Sequence, residues 1–311
     1  MTTTHAIVAS GPGGPEVLEL REVPLAAPGS GEVTISVRAA GINPVDLKKL
    51  AGAEAGARPG IELSGVVTAV GDGAVGPLGE IAVGDEVVAY PVVGGYAQDV
   101  TVPATSVLRK PRALDWARAA NLLLVGVTAT HLLEATGVHD GDTVLVHGAS
   151  GGVGLTALQL ALQRGATVVG TASAANQQLV ADHGGIPVIY GEGLADRVRS
   201  AAPEGIDVAL DTVGTDEAVD VSLELVADRD RIATIAAFAR GGEAGIRLLG
   251  GGPGADPGRE IRSAARGPLV ELADRGALDV VVGRTFPLAE ARAALELVAS
   301  GHPGGQVALL P

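Results

Sequence analysis

Cysteine is absent from this chain of 311 residues, and aromatic side chains are scarce, with two Phe, one Trp and three Tyr. The lack of Cys excludes disulfides, thiolate nucleophiles and zinc sites built on cysteine ligands. The six His are scattered, without the H-x-x-x-H or H-E-x-x-H spacing that is typical of metal sites. Aliphatic side chains must therefore form the hydrophobic cores, and we expect no bound metal.

Basic clusters and long apolar runs are also lacking. The formal net charge is −14, and the largest basic groups are Lys48-Lys49 and Arg109 to Arg112, which disfavours nucleic acid as a partner. The first residues lack the positive start and apolar core of a signal peptide, and no apolar run reaches about 18 residues without Gly or a charge. We therefore expect a cytoplasmic protein without a membrane partner.

A glycine-rich turn is the most informative feature that is present. Thr143 to His147 is a short apolar run typical of a buried parallel strand, and an apolar helical segment and a second strand follow the turn. This order is typical of a dinucleotide-binding unit, because glycines let a pyrophosphate approach the backbone and the N–H groups of the helix start face the phosphates. The residues that we expect to contact the cofactor here are Ala149, Ser150, Gly151, Gly152 and Val153.

Strand and helix patterns divide the chain into two domains. Up to about residue 110, short β-type runs are broken by Gly, Pro and Asp turns, which predicts an irregular antiparallel β domain. From about 115 to 283 strands alternate with helices, the last predicted strand being Leu278 to Val282, and this alternation predicts a parallel sheet covered on both faces. A helix near Leu288 to Ser300 and a strand, Gln306 to Leu310, should return to the first domain. The predicted fold class is α/β, with a β-rich domain over residues 1–115 and 284–311 and a Rossmann domain over residues 116–283.

The segment from Gly241 to Gly258 is rich enough in Gly to predict a mobile loop. Two interpretations stay open for it. It is either a lid over the cofactor or a plain surface loop.

Six segments of the chain together resemble one enzyme family. They are GINPVDLKK (41–49), PGIELSGVVTAVGDG (59–73), VGDEVVAYPVVGGYAQDVTVP (83–103), GVTATHLL (126–133), VHGASGGVG (146–154) and DTVG (211–214). In this order they resemble the zinc-free quinone oxidoreductase, or zeta-crystallin-like, branch of the medium-chain dehydrogenase/reductase superfamily. The resemblance implies a GroES-like substrate domain, a Rossmann domain, an NAD(P)H site in the cleft between them, and a homodimer.

The same resemblance sharpens the chemistry. Asn43, Ile61 and the neighbourhood of Leu124 stand where zinc alcohol dehydrogenases of the superfamily have zinc-binding Cys, His and Cys, although Glu62 is retained. Without those ligands no metal polarises an alcohol, so the reduction of an activated acceptor, such as a quinone or an enone, is favoured. Such an acceptor takes hydride with only positioning and hydrogen bonding from the protein. Two alternatives stay open: an enoyl reductase acting on enones or thioesters, and a non-catalytic NADPH-binding regulator.

Three candidate catalytic residues follow from the resemblance. It implies that Asn43 lies beside the nicotinamide and the acceptor oxygen, and that Thr128 contacts the nicotinamide. Lys48 supplies a proton or a hydrogen bond to the reduced acceptor if its side chain points into the cleft. The plain alternatives are a turn-forming Asn before Pro44, a Thr at a helix start and a solvated Lys.

The cofactor preference is argued from the end of the second Rossmann strand. Ser173 stands where an NAD-preferring member usually has an acid that binds the ribose hydroxyls. Because a Ser hydroxyl does not repel a 2′-phosphate and can donate to it, we predict NADPH rather than NADH. Gln177 replaces a Lys found in relatives, and no Lys or Arg occurs between Arg164 and Arg197.

Four further cofactor contacts are expected by resemblance. Tyr190 should lie near the adenosine phosphate, Val213 and Gly214 should form backbone walls, and Phe238 should flank the nicotinamide. Asp211, at the end of the preceding strand, is expected to bond to nearby backbone rather than to act as an acid.

Overall fold

The computed structural model describes residues 2–301 and 304–311. The strands in chain order are β1 (Thr3–Ala9), β2 (Leu18–Pro24), β3 (Glu32–Ile42), β4 (Leu63–Val70), β5 (Val75–Gly76), β6 (Gly79–Glu80), β7 (Glu86–Ala89), β8 (Asp99–Pro103), β9 (Val107–Arg109), β10 (Thr143–His147), β11 (Thr167–Ala172), β12 (Ile186–Ile189), β13 (Val208–Asp211), β14 (Ile232–Thr234), β15 (Arg247–Leu248), β16 (Val282–Pro287) and β17 (Gln306–Leu310). The α-helices are α1 (Pro44–Leu50), α2 (Trp116–Ala119), α3 (Leu123–Ala135), α4 (Gly152–Gln163), α5 (Gln177–Asp182), α6 (Leu194–Ala201), α7 (Asp216–Leu225), α8 (Phe238–Ala244), α9 (Arg259–Asp274) and α10 (Ala291–Ala299).

Residue contacts divide the chain into two compact units. The first consists of Met1–Leu124 and Gly267–Pro311, and the second of Val125–Arg266. Residues 116–124 and 267–283, which the sequence patterns grouped with the Rossmann domain, lie in the first unit by this division.

The first unit is built on a largely antiparallel sheet. Its strands lie in the order β16-β17-β3-β4-β7-β9, and β8 also pairs with β3. Side chains on the inner face, including Ile35 and Leu63, are fully buried and form an aliphatic core around the single buried phenol of Tyr96. The predicted return of the last strand is confirmed, because Val307 to Leu309 pair antiparallel with residues 40–42 of β3.

The second unit is a parallel sheet with helices between its strands. The order of the described strands is β12-β11-β10-β13-β14-β15, and every pair is parallel. The central strand β10 is apolar and buried, as expected for a strand covered on both faces. The predicted fold class, a GroES-like β-rich domain with a Rossmann parallel-sheet domain, is confirmed.

Two local predictions are wrong. Residues 278–281 form no strand, and β16, which starts at Val282, pairs with β17 in the first unit. Leu278 and Val280 are nevertheless almost fully buried, so their apolar pattern reflects burial in a loop rather than strand pairing. The sixth parallel strand is instead β15, inside the segment 241–258 that the sequence predicts as a loop.

The glycine-rich segment is more ordered than its composition indicates. Its first residues complete α8, which ends at Gly245 with a positive φ of 69°. Its later residues contact helix α3, because Asp256 Oδ2 lies 3.3 Å from Nε2 of the buried His131. Because Gly has low helix and strand propensities, the sequence pattern did not predict the end of α8 or the strand β15.

Among the helices described for residues 2–301 and 304–311, none is both long and apolar enough to cross a lipid bilayer.

Candidate functional site

The carboxyl edge of the parallel sheet collects most of the predicted cofactor residues. Because all of its strands are parallel, the residues that follow β10, β11, β12 and β13 emerge at the same edge. The registers pair His147 with both Thr171 and Asp211, and Ala172 with Ile189. This edge is where ligands bind in open α/β sheets.

The glycine-rich turn has the backbone geometry of a phosphate cradle. Gly148 has a φ of +76°, and Gly151 is the N-cap of the 12-residue helix α4. A Cβ on Gly154 would overlap the carbonyl oxygen of Gly148, so only glycine allows this close approach of helix and turn. The free N–H groups at the start of α4 suit a pyrophosphate. The residues of the turn therefore fit a dinucleotide.

The backbone of the turn is bonded to the second strand, and one of its side chains lies near the segment that follows that strand. Ala149 is fully buried, and its N–H donates to the carbonyl of Thr171 at 2.9 Å. Ser150 Oγ lies 3.4 Å from Asn176 Nδ2, whereas Gly152 and Val153 are half-buried in the first turn of α4. All five predicted contact residues therefore lie between the ends of β10 and β11.

Ser173 directly follows β11 and is half-buried. Gln177 begins α5, and its Nε2 points at three backbone carbonyls, those of Ala172, Ser173 and Val188, at 2.9 to 3.4 Å. The Gln177 side chain thus links the end of β11 to β12.

Tyr190 directly follows β12 and is half exposed. The loop that carries it is held by Arg197, whose guanidinium donates to the carbonyls of Ile189, Gly191 and Glu192 at 2.7 to 2.9 Å. Sequence reasoning missed this contact. The available signal was that Arg197 is the first Lys or Arg after Arg164.

Val213 and Gly214 follow β13 and are shaped by Asp211. Asp211 Oδ1 accepts hydrogen bonds from the N–H groups of Val213 and Gly214 at 2.9 and 2.8 Å, and Oδ2 accepts from the Thr234 hydroxyl. The expectation that Asp211 bonds to nearby backbone is confirmed. Val213 is 49% exposed, and Gly214 has a φ of +84°.

Phe238 and Thr128 also belong to the second unit. Phe238 begins helix α8, and its ring packs on Gly252, where a Cβ would collide with it. Thr128 is buried in the middle of α3 rather than at the helix start.

Asn43 lies in the first unit, in a buried polar cluster. It is the N-cap of α1 and forms a capping box with Asp46, whose Oδ2 accepts from the Asn43 N–H at 2.9 Å. Asn43 Nδ2 donates to Glu62 Oε1 at 2.8 Å, and Glu62 Oε2 accepts from the Leu124 N–H at 2.9 Å. The phenol of Tyr96 donates to Asp46 Oδ2 at 2.8 Å. Glu62 thus joins the chain around residue 43 to the chain around residue 124.

Burial sets the protonation of this cluster. It raises the pKa of Glu62 to about 8, although the hydrogen bonds from Leu124 and Asn43 act in the opposite direction. It also raises the pKa of Asp46 to about 6, against the opposing hydrogen bonds from Asn43 and Tyr96. The Glu62 carboxyl thus holds its proton to a higher pH than an exposed one, and the cluster is a hydrogen-bonding frame that orients the Asn43 amide.

The donor groups of this cluster do not fit zinc. Asn43, Ile61 and Leu124 offer an amide and two aliphatic side chains, where a zinc site needs thiolate or imidazole, and both Glu62 oxygens already accept hydrogen bonds. Over residues 2–301 and 304–311 there is no group of three or more His, Asp or Glu side chains that could hold a metal ion.

Lys48 lies on the last turn of α1, five residues after Asn43, and is exposed. Asn43 and Lys48 are the predicted site residues of the first unit. Apart from Asn43, the residues expected to contact the cofactor belong to the second unit.

Comparison with known proteins agrees with this geometry. A family model described as an alcohol dehydrogenase GroES-like domain matches residues 29–112, and one described as a zinc-binding dehydrogenase matches residues 152–250. The chain is 33% identical over 325 residues to a quinone oxidoreductase of Pseudomonas aeruginosa, an alignment that covers 96% of this chain and 97% of that protein. It is 31% identical over 339 residues to a 2-haloacrylate reductase of a Burkholderia species, with 96% of each chain covered.

Another relative is longer than this chain. The synaptic vesicle membrane protein VAT-1 homolog of Mus musculus is 36% identical over 221 residues, which are 68% of this chain and 53% of that protein. The alignment thus spans about half the length of this relative.

Solved structures share the fold along the whole chain. A mycobacterial protein complexed with NADPH matches with a TM-score of 0.84 and 32% identity, covering 99% of this chain and 100% of that chain. The Escherichia coli quinone oxidoreductase complexed with NADPH matches with a TM-score of 0.83 and 28% identity, with 99% and 100% covered. The chain therefore belongs to the quinone oxidoreductase branch of the medium-chain dehydrogenase/reductase superfamily.

Proposed function

We propose that this protein is a zinc-independent, NADPH-dependent reductase that transfers hydride to a quinone or another activated carbonyl acceptor. One observation carries the proposal: the retained Glu62 binds an amide and a backbone N–H where a zinc enzyme would have metal ligands. A site with this donor set favours acceptors that need no Lewis acid.

The relatives support the cofactor and the reaction class. The Pseudomonas aeruginosa relative is named a quinone oxidoreductase, and two neighbouring structures were solved with NADPH. The glycine turn of this chain suits the same kind of cofactor, because only glycine at position 154 allows the helix start to lie this close to Gly148.

The residues of the chain supply positioning and hydrogen bonds. NADPH, when bound, would supply the hydride. Asn43 Nδ2 carries two hydrogens, and its bond to Glu62 fixes the amide and leaves the second hydrogen for an acceptor oxygen. Thr128 is proposed to contact the nicotinamide, and Lys48 to deliver the proton that balances hydride addition to a carbonyl.

A second candidate is the reduction of a carbon–carbon double bond conjugated to a carbonyl group. The 2-haloacrylate reductase relative, which aligns over 96% of this chain, favours it. Both reactions use the same cofactor. They differ in which atom of the acceptor receives the hydride.

The test of the reaction is NADPH oxidation by the purified protein with an ortho-quinone, a para-quinone, a simple enone, a haloacrylate and an enoyl thioester, repeated with NADH. Turnover of quinones alone supports the leading proposal, and turnover of enones or thioesters alone moves the function to the second candidate. Tight NADPH binding with no turnover of any acceptor contradicts both and favours a non-catalytic regulator.

Asn43→Ala tests the proposed site. We expect kcat to fall about 100-fold, the usual effect of removing one hydrogen-bond donor to a developing oxyanion, while the Kd for NADPH changes little. The substitution also removes a helix cap, at a cost of about 1 kcal/mol. Asp115→Ala is the matched control, because it removes the cap of α2 from the same unit. Equal turnover of the two variants would reject the role of Asn43.

Lys48→Met compared with Lys49→Met separates proton delivery by Lys48 from the general effect of losing a surface charge.

A further inference from the structure

The residues that follow β11, at the adenosine end of the proposed cofactor site, include no Lys or Arg up to residue 196. A 2′-phosphate needs a cation or several N–H donors. The amide nitrogen of Gln177 is directed at the backbone carbonyls of Ala172, Ser173 and Val188. A positive charge for this end must therefore come from another element.

Arg197 brings such a charge to the correct edge of the sheet. It lies on α6, and its Nε donates to the carbonyl of Ile189, which pairs with Ala172, the residue before Ser173. Nη1 and Nη2 donate to Glu192 and Gly191 at 2.7 and 2.8 Å. Arg197 is therefore fixed where β11 and β12 end, beside the loop that carries Tyr190.

The contacts of Arg197 leave its charge uncompensated. Its three acceptors are neutral carbonyls, and the structure gives it no carboxylate partner among the described residues. Arg199, two residues away on the same helix, differs, since it pairs with Asp196 and Glu224. Three of the five guanidinium N–H groups are used, so one hydrogen on each of Nη1 and Nη2 is left for a ligand.

Carboxylates near this loop are occupied or lie outside the guanidinium contacts. Glu217 Oε2 accepts from the N–H of Gly191 at 3.0 Å and so holds the opposite side of the same loop. Glu192 contributes its backbone carbonyl to Arg197, and its side chain is exposed. Neither replaces the missing counter-ion of Arg197.

We propose that Arg197 binds the 2′-phosphate of NADPH, together with the Ser173 hydroxyl, and so sets the preference for NADPH over NADH. The inference rests on the proposed function, because it concerns the cofactor of that reaction.

The test is calorimetric titration of NADPH, NADH, adenosine 2′,5′-bisphosphate and adenosine 5′-monophosphate into the wild type and Arg197→Gln. We expect the variant to lose at least about 10-fold in affinity for the two 2′-phosphorylated ligands, as for the loss of one charge-assisted pair, and less than about 2-fold for the other two. Arg199→Gln is the matched control, since it removes the same charge two residues away on the same helix, and its affinities should equal those of the wild type.

Equal losses for all four ligands, or none, would overturn the inference and leave Arg197 as a loop anchor only. Arg197→Lys guards against a misfolded Arg197→Gln variant: it keeps the charge and should keep most of the preference for 2′-phosphorylated ligands. An unchanged preference in Arg197→Gln with normal NADPH turnover refutes this inference alone, whereas a wild type that neither binds nor oxidises NADPH refutes the proposed function.

Discussion

At the scale of single residues, Glu62 is the centre of a buried hydrogen-bonded cluster. Its carboxyl group is 1% exposed, and its two oxygens accept hydrogen bonds from Asn43 and Leu124. The sequence indicated that Glu62 was retained, but its two partners are 19 and 62 residues away in the chain and appear only in the fold. Its raised pKa follows from this burial.

The free energy of unfolding should depend on pH because of the raised pKa of Glu62. The pKa of Glu62 rises from an ordinary value of 4.5 to about 8 on folding. Between these two pH values the folded state holds a proton that the unfolded state has released. The contribution to stability is complete below about pH 4.5 and declines as the pH rises through 8, at up to about 1.4 kcal/mol per pH unit.

Glu62→Gln should therefore flatten the decline of the unfolding free energy between about pH 5 and about pH 9, as measured by urea denaturation. Glu134→Gln provides the control, because Glu134 is half exposed and pairs with Arg164. A Glu62→Gln variant with the same slope as the wild type would show that Glu62 is ionised in the folded protein.

At the scale of elements, the turn between β10 and α4 is the best predicted part of the molecule. The sequence placed the helix directly after the glycines, and α4 indeed begins at Gly152. The less successful predictions concern short elements. The strand β15 has two residues, and glycines surround it, so only pairing with β14 identifies it.

Gly154→Ala should destabilise the second unit, which contains Gly154. The new Cβ would overlap the carbonyl oxygen of Gly148, and backbone cannot yield as a side chain can. We expect a loss of more than about 2 kcal/mol in unfolding free energy and a smaller rise of Tm on adding NADPH.

Gly242→Ala is the comparison for this variant. Gly242 is also helical, and a Cβ there would meet only the Leu248 side chain, at an ordinary 3.7 Å. Because Ala favours helix over Gly, this variant should be neutral or more stable by up to about 1 kcal/mol. Equal stability of the two variants, measured by thermal and urea unfolding, would contradict the close approach at Gly154.

Acidity is the dominant property of the whole molecule. Asp and Glu number 36 against 22 Lys and Arg, and many described ion pairs lie on the surface, where each contributes little. The excess negative charge repels itself in the folded state and is screened by salt.

Added NaCl should therefore raise the apparent Tm at pH 8, by about 2–4 °C for each kcal/mol of repulsion removed. The gain should disappear near pH 5, close to the isoelectric point of about 4.8, where the net charge vanishes. Differential scanning calorimetry at about 0.02 and about 0.5 M NaCl, a span over which the screening length shortens several-fold, checks this, with sucrose of matched osmolality as the control. An equal gain at both pH values would assign the effect to something other than net charge.

The sequence by itself determined the fold class and the phosphate-binding turn. Both depend on local order: a buried strand, glycines, then a helix, and alternating strands and helices along the chain. These features are short in range, so adjacent residues specify them. The zinc-ligand positions were also readable, because they concern residue identity rather than contact.

The tertiary structure decided which of those residues act together. Glu62 meets Asn43 and Leu124 only because the end of β3, the residue before β4 and the start of α3 converge. Arg197 meets the loop after β12 because α6 turns back onto it. Burial then set the pKa of Glu62, a property of the surrounding side chains that no local pattern encodes. Contacts between residues far apart in the chain, and the desolvation they cause, are the part of this protein that only folding defines.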